Sequence, residues 1–368
     1  MYKRVLIILT IIIALLNLIA WTIPGVCDWY TAYVTPIWLN TLARITGIFP
    51  FSVGEIMLAA AVILVFAVVI TGILLIFLHK KARFRKIVFR FYRIFAAIFV
   101  GVCLVMTLNC TMLYHCTPLD SNPDVPYREY SIEELEIMRN HIVEMCNRYS
   151  ALMERDENGY LAYAGDMQET AKKALNNLSD RYPKLAGYYP DVKHMAFSGL
   201  MSQAYMAGYY FPFSLEANCN DNMYISNYPG VYCHELSHLH GYIYEDEANF
   251  LSFLACTESG DDFFIYCGYL SVLNYVDNAY WESIDGDIVR YASQVQICEA
   301  VYADNVFLLP ETWEEVEEKA VLSTDTLDAA ADEFTETSLQ LNGVKEGIAS
   351  YGQVVDLLLQ YYDGVLYE

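Results

Sequence analysis

Three long stretches almost free of charge constrain this chain more than any other feature of its sequence. They run from residue 5 to 23, from 54 to 78 and from 91 to 115. As helices, each is long enough to cross about 30 Å of hydrocarbon. The first could instead be a signal peptide, but no small-residue cleavage site follows it. The sequence therefore predicts a membrane domain with three transmembrane helices in residues 1–116.

A dense group of basic residues separates the second and third apolar stretches. Its members are Lys80, Lys81, Arg83, Arg85, Lys86, Arg90 and Arg93. The positive-inside rule places such a group in the cytoplasm, and Lys3 and Arg4 ahead of the first stretch agree with it. We therefore expect a multi-pass protein of the cell membrane with a cytoplasmic N-terminus. A linker at residues 117–125 would lead to an extracytoplasmic domain at residues 126–368.

Charge is distributed very unevenly between these two parts. Ten of the 22 Lys and Arg residues precede residue 116, whereas only Asp28 and Glu55 of the 45 acidic residues do. The remainder of the chain therefore has a formal net charge of −31. Such a charge repels nucleic acid and anionic lipid headgroups, so neither is a plausible ligand for the body of this domain. Cationic or neutral substrates are compatible with it.

The cysteines give no sign of a stabilising framework. All ten are irregularly spaced and form no Cys-x-x-Cys pair, and Cys103 and Cys110 lie within the third apolar stretch. The sequence therefore predicts neither a disulfide framework nor a thiolate zinc site. The disulfide status of the cysteines beyond residue 116 stays open.

Helical periodicity dominates residues 126–368. Ser131 with Glu134 forms a capping-box pattern ahead of an amphipathic helix, and Asp166 with Glu169 marks a second helix start. Further helices are predicted at residues 228–240, 246–257, 262–280, 287–306, 311–340 and 346–362. The aromatic-rich segment 209–216 contains Pro212 and predicts a short edge strand. The fold class is thus three N-terminal transmembrane α-helices plus a predominantly α-helical domain with at most a small sheet.

Residues 234–238 read His-Glu-Leu-Ser-His, a pattern with a specific chemical meaning. On a helix, the histidines at i and i+4 project from one face, where both imidazoles can bind a single ion. Zinc in a catalytic site keeps one position for water and lowers the pKa of that water to about 7. His234 and His238 are therefore candidate Zn²⁺ ligands, and Glu235 is the candidate base that takes the proton of the water.

The third ligand is sought in the segment that follows. Gly241 is placed to end the helix in a left-handed turn, and a new helix then begins with Glu245, Asp246 and Glu247. Any one of these carboxylates could complete the site. Acidic residues in the first turn of a helix are also favoured by the helix dipole alone, so the pattern leaves the choice open.

A resemblance to known enzymes narrows that choice. Glu245, Ala248 and Asn249 form a Glu-x-x-Ala-Asn segment, which resembles the Glu-x-x-Ala-Asp segment of membrane zinc endopeptidases acting on prenylated proteins. The resemblance implies that Glu245 is the third ligand, with Glu247 as runner-up, in a gluzincin-like site. Asn249, four residues after Glu245, could hydrogen-bond a liganding histidine and so fix its tautomer and orientation. The metzincin pattern fits less well, because Tyr244 stands where that pattern has its third histidine.

Four segments together resemble an uncharacterised bacterial family. They are residues 50–55, 234–238, 245–249 and 350–358. The family is a domain of unknown function of the DUF3810 type, and its members are membrane proteins with a zincin-like, zinc-protease-like HExxH domain. The resemblance covers nearly the whole chain and names no substrate. Tyr351, in the last segment, could donate a hydrogen bond to the oxyanion of peptide hydrolysis.

The remaining histidines receive simpler interpretations. His240 points to a different helix face from His234 and His238 and is predicted to be an ordinary surface or satisfied histidine. His141 and His194 belong to no pattern.

The expected function is that of a membrane-anchored zinc metalloendopeptidase. His234, His238 and Glu245 would hold Zn²⁺, Glu235 would act as general base, and the substrate would be a peptide or protein of the membrane or envelope. The alternative is a catalytically silent, metal-bearing domain that binds an envelope or protein partner. The intact Glu235 favours the enzyme, because a structural zinc site has no need of a base.

Overall fold

The computed structural model describes residues 2–123, 128–345, 347 and 352–367. Within it the chain forms two units. The first comprises Met1–Cys116 together with Phe211–Glu216, and the second comprises Thr117–Tyr210 together with Ala217–Glu368. A short internal segment of the sequence therefore groups with the N-terminal unit.

Long apolar helices make up most of the first unit. Its α-helices are α1 Tyr2–Thr22, α2 Val26–Tyr33, α3 Thr35–Trp38, α4 Arg44–Thr46, α5 Val53–Leu78 and α6 Ala82–Met106, with π-helical turns at Leu39–Ala43 and Thr107–Thr111 and a 3₁₀ turn at Leu113–His115. Among the described residues, three helical stretches are long and apolar enough to cross a membrane, namely Tyr2–Thr22, Val53–Leu78 and Ala82–His115. The third starts nine residues before the predicted apolar stretch, because Lys and Arg are good helix formers and continue the helix into the basic group.

Residues 212–215 form a turn, so the segment 209–216 is not a single strand. Its Glu216 carboxylate accepts hydrogen bonds from the backbone N–H groups of Val53, at 3.1 Å, and Gly54, at 2.6 Å. Ser214 also donates to this carboxylate, at 2.6 Å. A buried carboxylate at the start of α5 satisfies N–H groups that the helix itself leaves unpaired. The predicted continuous edge strand at 209–216 is therefore wrong in its second half.

The second unit is helical with one small sheet. Its α-helices are α7 Ile132–Ser150, α8 Met167–Asn177, α9 Ser198–Gln203, α10 Tyr228–Leu239, α11 Glu245–Thr257, α12 Asp262–Ser283, α13 Ile288–Ala292, α14 Glu299–Asp304, α15 Pro310–Glu318, α16 Thr324–Leu341 and α17 Val354–Tyr362. Its strands are β1 Lys193–Met195, β2 Gly208–Phe211 and β3 Glu216–Asn220, in the order β1-β3-β2. Strands β1 and β3 are parallel, with His194 opposite Cys219. The predicted fold class is confirmed.

Two predicted helices are interrupted. In place of one helix at 287–306, α13 and α14 are separated by extended backbone, whose N–H groups at Val295 and Cys298 donate to the side chains of Asn140, at 3.3 Å, and Asn147, at 2.9 Å. These side chains from α7 replace helical hydrogen bonds, so the backbone has no need to be helical there. The predicted helix at 311–340 divides into α15 and α16 at Ser323, a residue type that favours the N-cap position.

Helix α7 begins as the sequence predicts, and helix α11 is deeply buried. The capping box of α7 is present, with Ser131 accepting from the Glu134 N–H and Glu134 accepting from the Ser131 N–H. Helix α11 has buried residues along most of its length, including Phe250 and Phe253 with at most 1% of their surface exposed. All ten cysteines are free. Because no disulfide bond joins the described cysteines, the rigidity of these helices comes from apolar packing.

Candidate metal centre

A tight helical hairpin brings the predicted ligands together. Helix α10 carries His234 and His238 one turn apart, and it ends at Leu239. Gly241 follows with a φ of +91°, a left-handed conformation that most residues adopt only at a cost. Helix α11 begins at Glu245, so its first carboxylate faces the last turn of α10. The turn predicted from Gly241 is thus present.

The three side chains converge on one point. Glu245 Oε2 lies 3.1 Å from His234 Nε2 and 3.6 Å from His238 Nε2. One ligand atom from each residue can be chosen so that all three lie within 4.8 Å of one another. Two imidazole nitrogens and one carboxylate oxygen at such separations match the donor set of a His₂Glu zinc site.

The other ring nitrogen of each histidine is also engaged. His238 Nδ1–H donates to the Tyr242 carbonyl oxygen at 2.7 Å, and His234 Nδ1 lies 2.8 Å from Asn249 Oδ1. Because these oxygens accept hydrogen bonds, each ring carries a proton on Nδ1, and its Nε2 faces Glu245. The contact predicted for Asn249 is therefore present, and Tyr242 provides the same support through its backbone.

Opposite charges and burial act against each other in this cluster. Burial raises the pKa of Glu245 and lowers that of His238, but the attraction between the two side chains prevails. The pKa of Glu245 therefore lies well below its usual range, and that of His238 rises to about 9. In the absence of a metal ion, His238 is therefore an imidazolium and Glu245 a carboxylate. A metal ion that binds here must displace the proton of His238, so binding strengthens as the pH rises.

Glu235 lies beside the cluster with a spare oxygen. Only 4% of its surface is exposed, and its Oε2 has no hydrogen-bond partner among the described residues. Burial raises the pKa of Glu235 to about 7; the charge of Glu245 adds to that rise, whereas His234 and His238 oppose it. A buried carboxylate that titrates near neutrality can both accept and return a proton. Its unsatisfied oxygen could accept a hydrogen bond from a water molecule.

Strand β2 lies directly beside the candidate metal centre, which the sequence did not indicate. A Cβ atom on Gly208 would lie 2.2 Å from Glu235 Oε1, so only glycine leaves room for the carboxylate. Two residues further along, the ring of Tyr210 lies 6.1 Å from the ring of His238. The sheet order places β2 at an edge of the sheet. An edge strand therefore lies directly beside the candidate base.

Tyr275 is a further residue that sequence reasoning missed. It projects from α12, and its pKa is raised, mainly by burial and also by the charge of Glu245. A hydrogen bond with Asn249 opposes this rise. The hydroxyl is thus close to the third candidate ligand and to the residue that supports His234. Nothing in the sequence distinguished it, because the chain contains 31 tyrosines.

The other predicted candidates lie elsewhere or outside the described residues. Glu247, the runner-up ligand, is buried, and its Oε1 accepts a hydrogen bond from the Leu119 N–H at 2.7 Å. It is absent from the convergent group, which among the described residues contains His234, His238 and Glu245. Tyr351 lies outside the described residues.

The remaining histidines have structural partners. His240 is buried, donates from Nδ1 to the Lys184 carbonyl oxygen at 2.7 Å and stacks on Tyr189 with ring centroids 4.2 Å apart. It is a core histidine rather than a surface one, although its Nε2 has no hydrogen-bond partner among the described residues. His194 lies 2.5 Å from Asp221 Oδ1 through Nδ1 and 2.9 Å from the Tyr232 hydroxyl through Nε2, so it does have partners that the sequence did not indicate.

Acid should destabilise the protein through His240. Burial is the main cause that lowers its pKa, to about 4, against an ordinary value of 6.5. Between these values the unfolded chain binds a proton that the folded chain does not, so the stabilisation is complete above pH 6.5 and is lost as the pH falls towards 4. The lowered pKa corresponds to about 3 kcal/mol in the free energy of unfolding.

The measurement is chemical unfolding of the purified protein at pH 7.5 and pH 4.5, with a chelator present so that metal loss does not contribute. His240→Phe keeps the aromatic stacking but cannot titrate, and we expect it to lose less stability between the two pH values than the wild type does. Equal losses in the two proteins would contradict the role assigned to His240.

In the part of the chain that the structure describes, three helices are long and apolar enough to span a membrane, and most of the rest is helical. The candidate site is a partly buried cluster of His234, His238 and Glu245 that could hold a metal ion. The chain belongs to the family described as protein of unknown function (DUF3810), whose model matches residues 30–359. The matched region contains the whole candidate metal centre. No curated protein and no solved structure matches the chain.

Proposed function

We propose that this protein is a membrane-anchored, zinc-dependent metallopeptidase whose domain after residue 116 lies outside the cytoplasm. The observation that carries the proposal is the convergence of His234, His238 and Glu245 beside the buried carboxylate of Glu235. The orientation follows from the basic group between the second and third apolar stretches, which the positive-inside rule places in the cytoplasm.

The residues present fit a catalytic zinc ion. His234 and His238 would hold it through Nε2 and Glu245 through a carboxylate oxygen, and among the described residues no fourth acidic, histidine or cysteine side chain joins this group. A closed structural site has four protein ligands, whereas a catalytic site has three and keeps one open position. When bound, zinc supplies an acidified water and polarises the carbonyl of the substrate.

The residues of the chain perform the proton transfers. Glu235 accepts the proton of the attacking water on its free Oε2 and delivers it to the amine that leaves when the peptide bond breaks. Asn249 and the Tyr242 carbonyl hold the two histidines in the tautomer that this arrangement requires. The alternative is a domain that binds a partner and cleaves nothing. It does not explain why a buried carboxylate with an oxygen that lacks a hydrogen-bond partner among the described residues lies at this position.

Strand β2 supports a peptide as the substrate. An extended peptide that pairs with an edge strand of a sheet gains backbone hydrogen bonds whatever its sequence. At Gly208 strand β2 lies against Glu235, so a peptide paired with β2 would lie near the candidate base. The net charge of −31 beyond residue 116 favours cationic or neutral segments over acidic ones.

Gly208→Ala should reduce peptide hydrolysis at least tenfold and leave zinc binding intact. The added methyl group would overlap Glu235 Oε1, so either the base or the strand must move, and shifts of about 1 Å can cost about a hundredfold in rate. The measurement is kcat/KM beside the zinc content of the same preparation. Gly199→Ala is the matched control, because a Cβ there meets nothing within 4 Å. Equal activity in the two variants would show that β2 does not constrain the base.

The experiment that tests the proposal uses the full chain, purified in a neutral detergent and assayed against a mixture of peptides. We expect cleavage that stops after removal of metal with a chelator and returns on addition of zinc. Stoichiometric zinc without cleavage of any peptide or of co-purifying membrane proteins would favour the partner-binding alternative. A folded protein that binds no zinc would overturn both.

A further inference from the structure

The first unit contains a cavity that the candidate metal centre does not use. Its volume is about 650 Å³, within the usual range of about 300–1,000 Å³ for ligand sites. Its walls come from the start of α1, with Tyr2 and Leu6, and from the N-terminal half of α6. The Tyr2 hydroxyl donates a hydrogen bond to the Arg93 carbonyl oxygen, which ties the two helices together beside the cavity.

Positive charge dominates the polar part of the lining. Lys86, Arg90 and Arg93 all contribute to it, and no described Asp or Glu does. Three cations around one cavity repel one another unless an anion lies between them. Arginine in particular presents a planar fork of N–H groups that matches phosphate oxygens. The polar side of the cavity is therefore suited to a phosphate-bearing ligand.

The other side of the cavity is apolar. Leu6 and Phe89 belong to the lining, and Tyr92 adds a ring with a polar tip. A free phosphate ion gains nothing from such a wall. A phospholipid does, because its phosphate is attached through glycerol to hydrocarbon.

The position of the cavity along the helices agrees with a lipid. Tyr2 precedes the apolar stretch that starts at residue 5, and Lys86 and Arg90 precede the one that starts at residue 91. The cavity thus lies where the polar ends of two membrane-spanning helices meet their apolar parts. Lipid headgroups occupy this level of a bilayer, and long Lys and Arg side chains reach towards them.

We propose that this cavity binds the headgroup of an anionic phospholipid, with the phosphate held by Lys86, Arg90 and Arg93 and the glycerol and upper acyl chain against Leu6 and Phe89. Basic pockets between transmembrane helices are an established way to hold such headgroups. The acidic domain beyond residue 116 plays no part in this contact, and the proposal does not depend on peptidase activity.

The test measures lipid binding to the full chain in neutral detergent by native mass spectrometry, with phosphatidylglycerol and phosphatidylcholine as probes. The cavity variant combines Lys86→Gln, Arg90→Gln and Arg93→Gln. The matched control combines Lys80→Gln, Lys81→Gln and Arg83→Gln, which removes equal charge from the same basic group but from residues outside the lining.

We expect the wild type and the control to retain one phosphatidylglycerol per chain in preference to phosphatidylcholine, and the cavity variant to bind it at least tenfold more weakly. Arg90→Gln alone gives the same direction of change if the triple variant does not fold. Equal weakening in the cavity variant and the control would show a general attraction to basic residues and overturn the proposal. Complete displacement of the lipid by millimolar inorganic phosphate would overturn it too, because the ligand would then be the free anion.

Discussion

Glu235→Gln is expected to lower kcat/KM for peptide hydrolysis by about 10²–10⁴-fold, the usual contribution of a positioned general base. Glutamine has the same shape as glutamate, so the packing around this buried side chain is kept. Its amide, however, cannot accept a proton from water and deliver it to the leaving amine. The zinc content should remain at the wild-type level, because Glu235 is not among the three convergent ligands.

The control for this prediction is Glu247→Gln. Glu247 is also a buried glutamate close to the centre, but its Oε1 accepts a hydrogen bond from the Leu119 N–H, which a glutamine carbonyl can also accept. We therefore expect Glu247→Gln to keep most of the activity and Glu235→Gln to keep almost none. Both variants would be compared by kcat/KM, zinc content and thermal midpoint. A Glu235→Gln variant with zinc and near-normal activity would remove Glu235 from the mechanism.

The candidate metal centre was accessible from the sequence because its determinants are local. His234 and His238 share a helix face because they are four residues apart on α10. Gly241 lies in the turn that ends this helix, and α11 begins only four residues later at Glu245. No knowledge of distant packing is needed to place these groups together. The choice of Glu245 over Glu247 rested on the resemblance to the Glu-x-x-Ala-Asp segment, and in the structure the Glu247 carboxylate accepts a hydrogen bond from the Leu119 backbone instead.

The contributions of β2 and α12 to the site could not be predicted in the same way. Gly208 and Tyr275 lie 27 residues before and 40 residues after Glu235 in the chain, and both reach the centre through tertiary packing. A glycine among 19, or a tyrosine among 31, has no local feature that marks it as part of a site. Such residues are found only when the elements that carry them have been placed.

The secondary-structure errors have a related cause. Residues 209–216 have strand-like composition, but the Glu216 carboxylate binds the start of α5, and the chain turns between residues 211 and 216. The backbone between α13 and α14 departs from a helix because Asn140 and Asn147 supply its hydrogen bonds. In each case, partners distant in the sequence override a local preference.

His238→Ala and Glu245→Ala are each expected to abolish stoichiometric zinc binding. Two of three protein ligands cannot hold zinc against a mild chelator, and the loss should exceed the roughly 10–100-fold that removal of a supporting partner costs. Asn249→Ala is expected to weaken zinc binding by only about 10–100-fold, because it removes the acceptor 2.8 Å from His234 Nδ1 but no ligand. The measurement is zinc per chain after dialysis of the full-length protein, and zinc affinity by competition with a chromogenic chelator.

Folding must be separated from ligation in this experiment, because His238 and Glu245 form a partly buried pair whose charges stabilise each other without metal. Glu245→Gln therefore accompanies Glu245→Ala, since it keeps the shape and hydrogen-bonding capacity of the side chain while removing the anionic ligand. Added zinc should raise the thermal midpoint of the wild type and of Glu247→Gln but not that of Glu245→Gln. If Glu247→Gln lost zinc and Glu245→Gln kept it, the third ligand would be Glu247, and the hairpin between α10 and α11 would have to rearrange on binding. If all of these variants kept one zinc per chain, the ion would bind elsewhere, and the convergence of the three side chains would have to be explained as an ion-pair network alone.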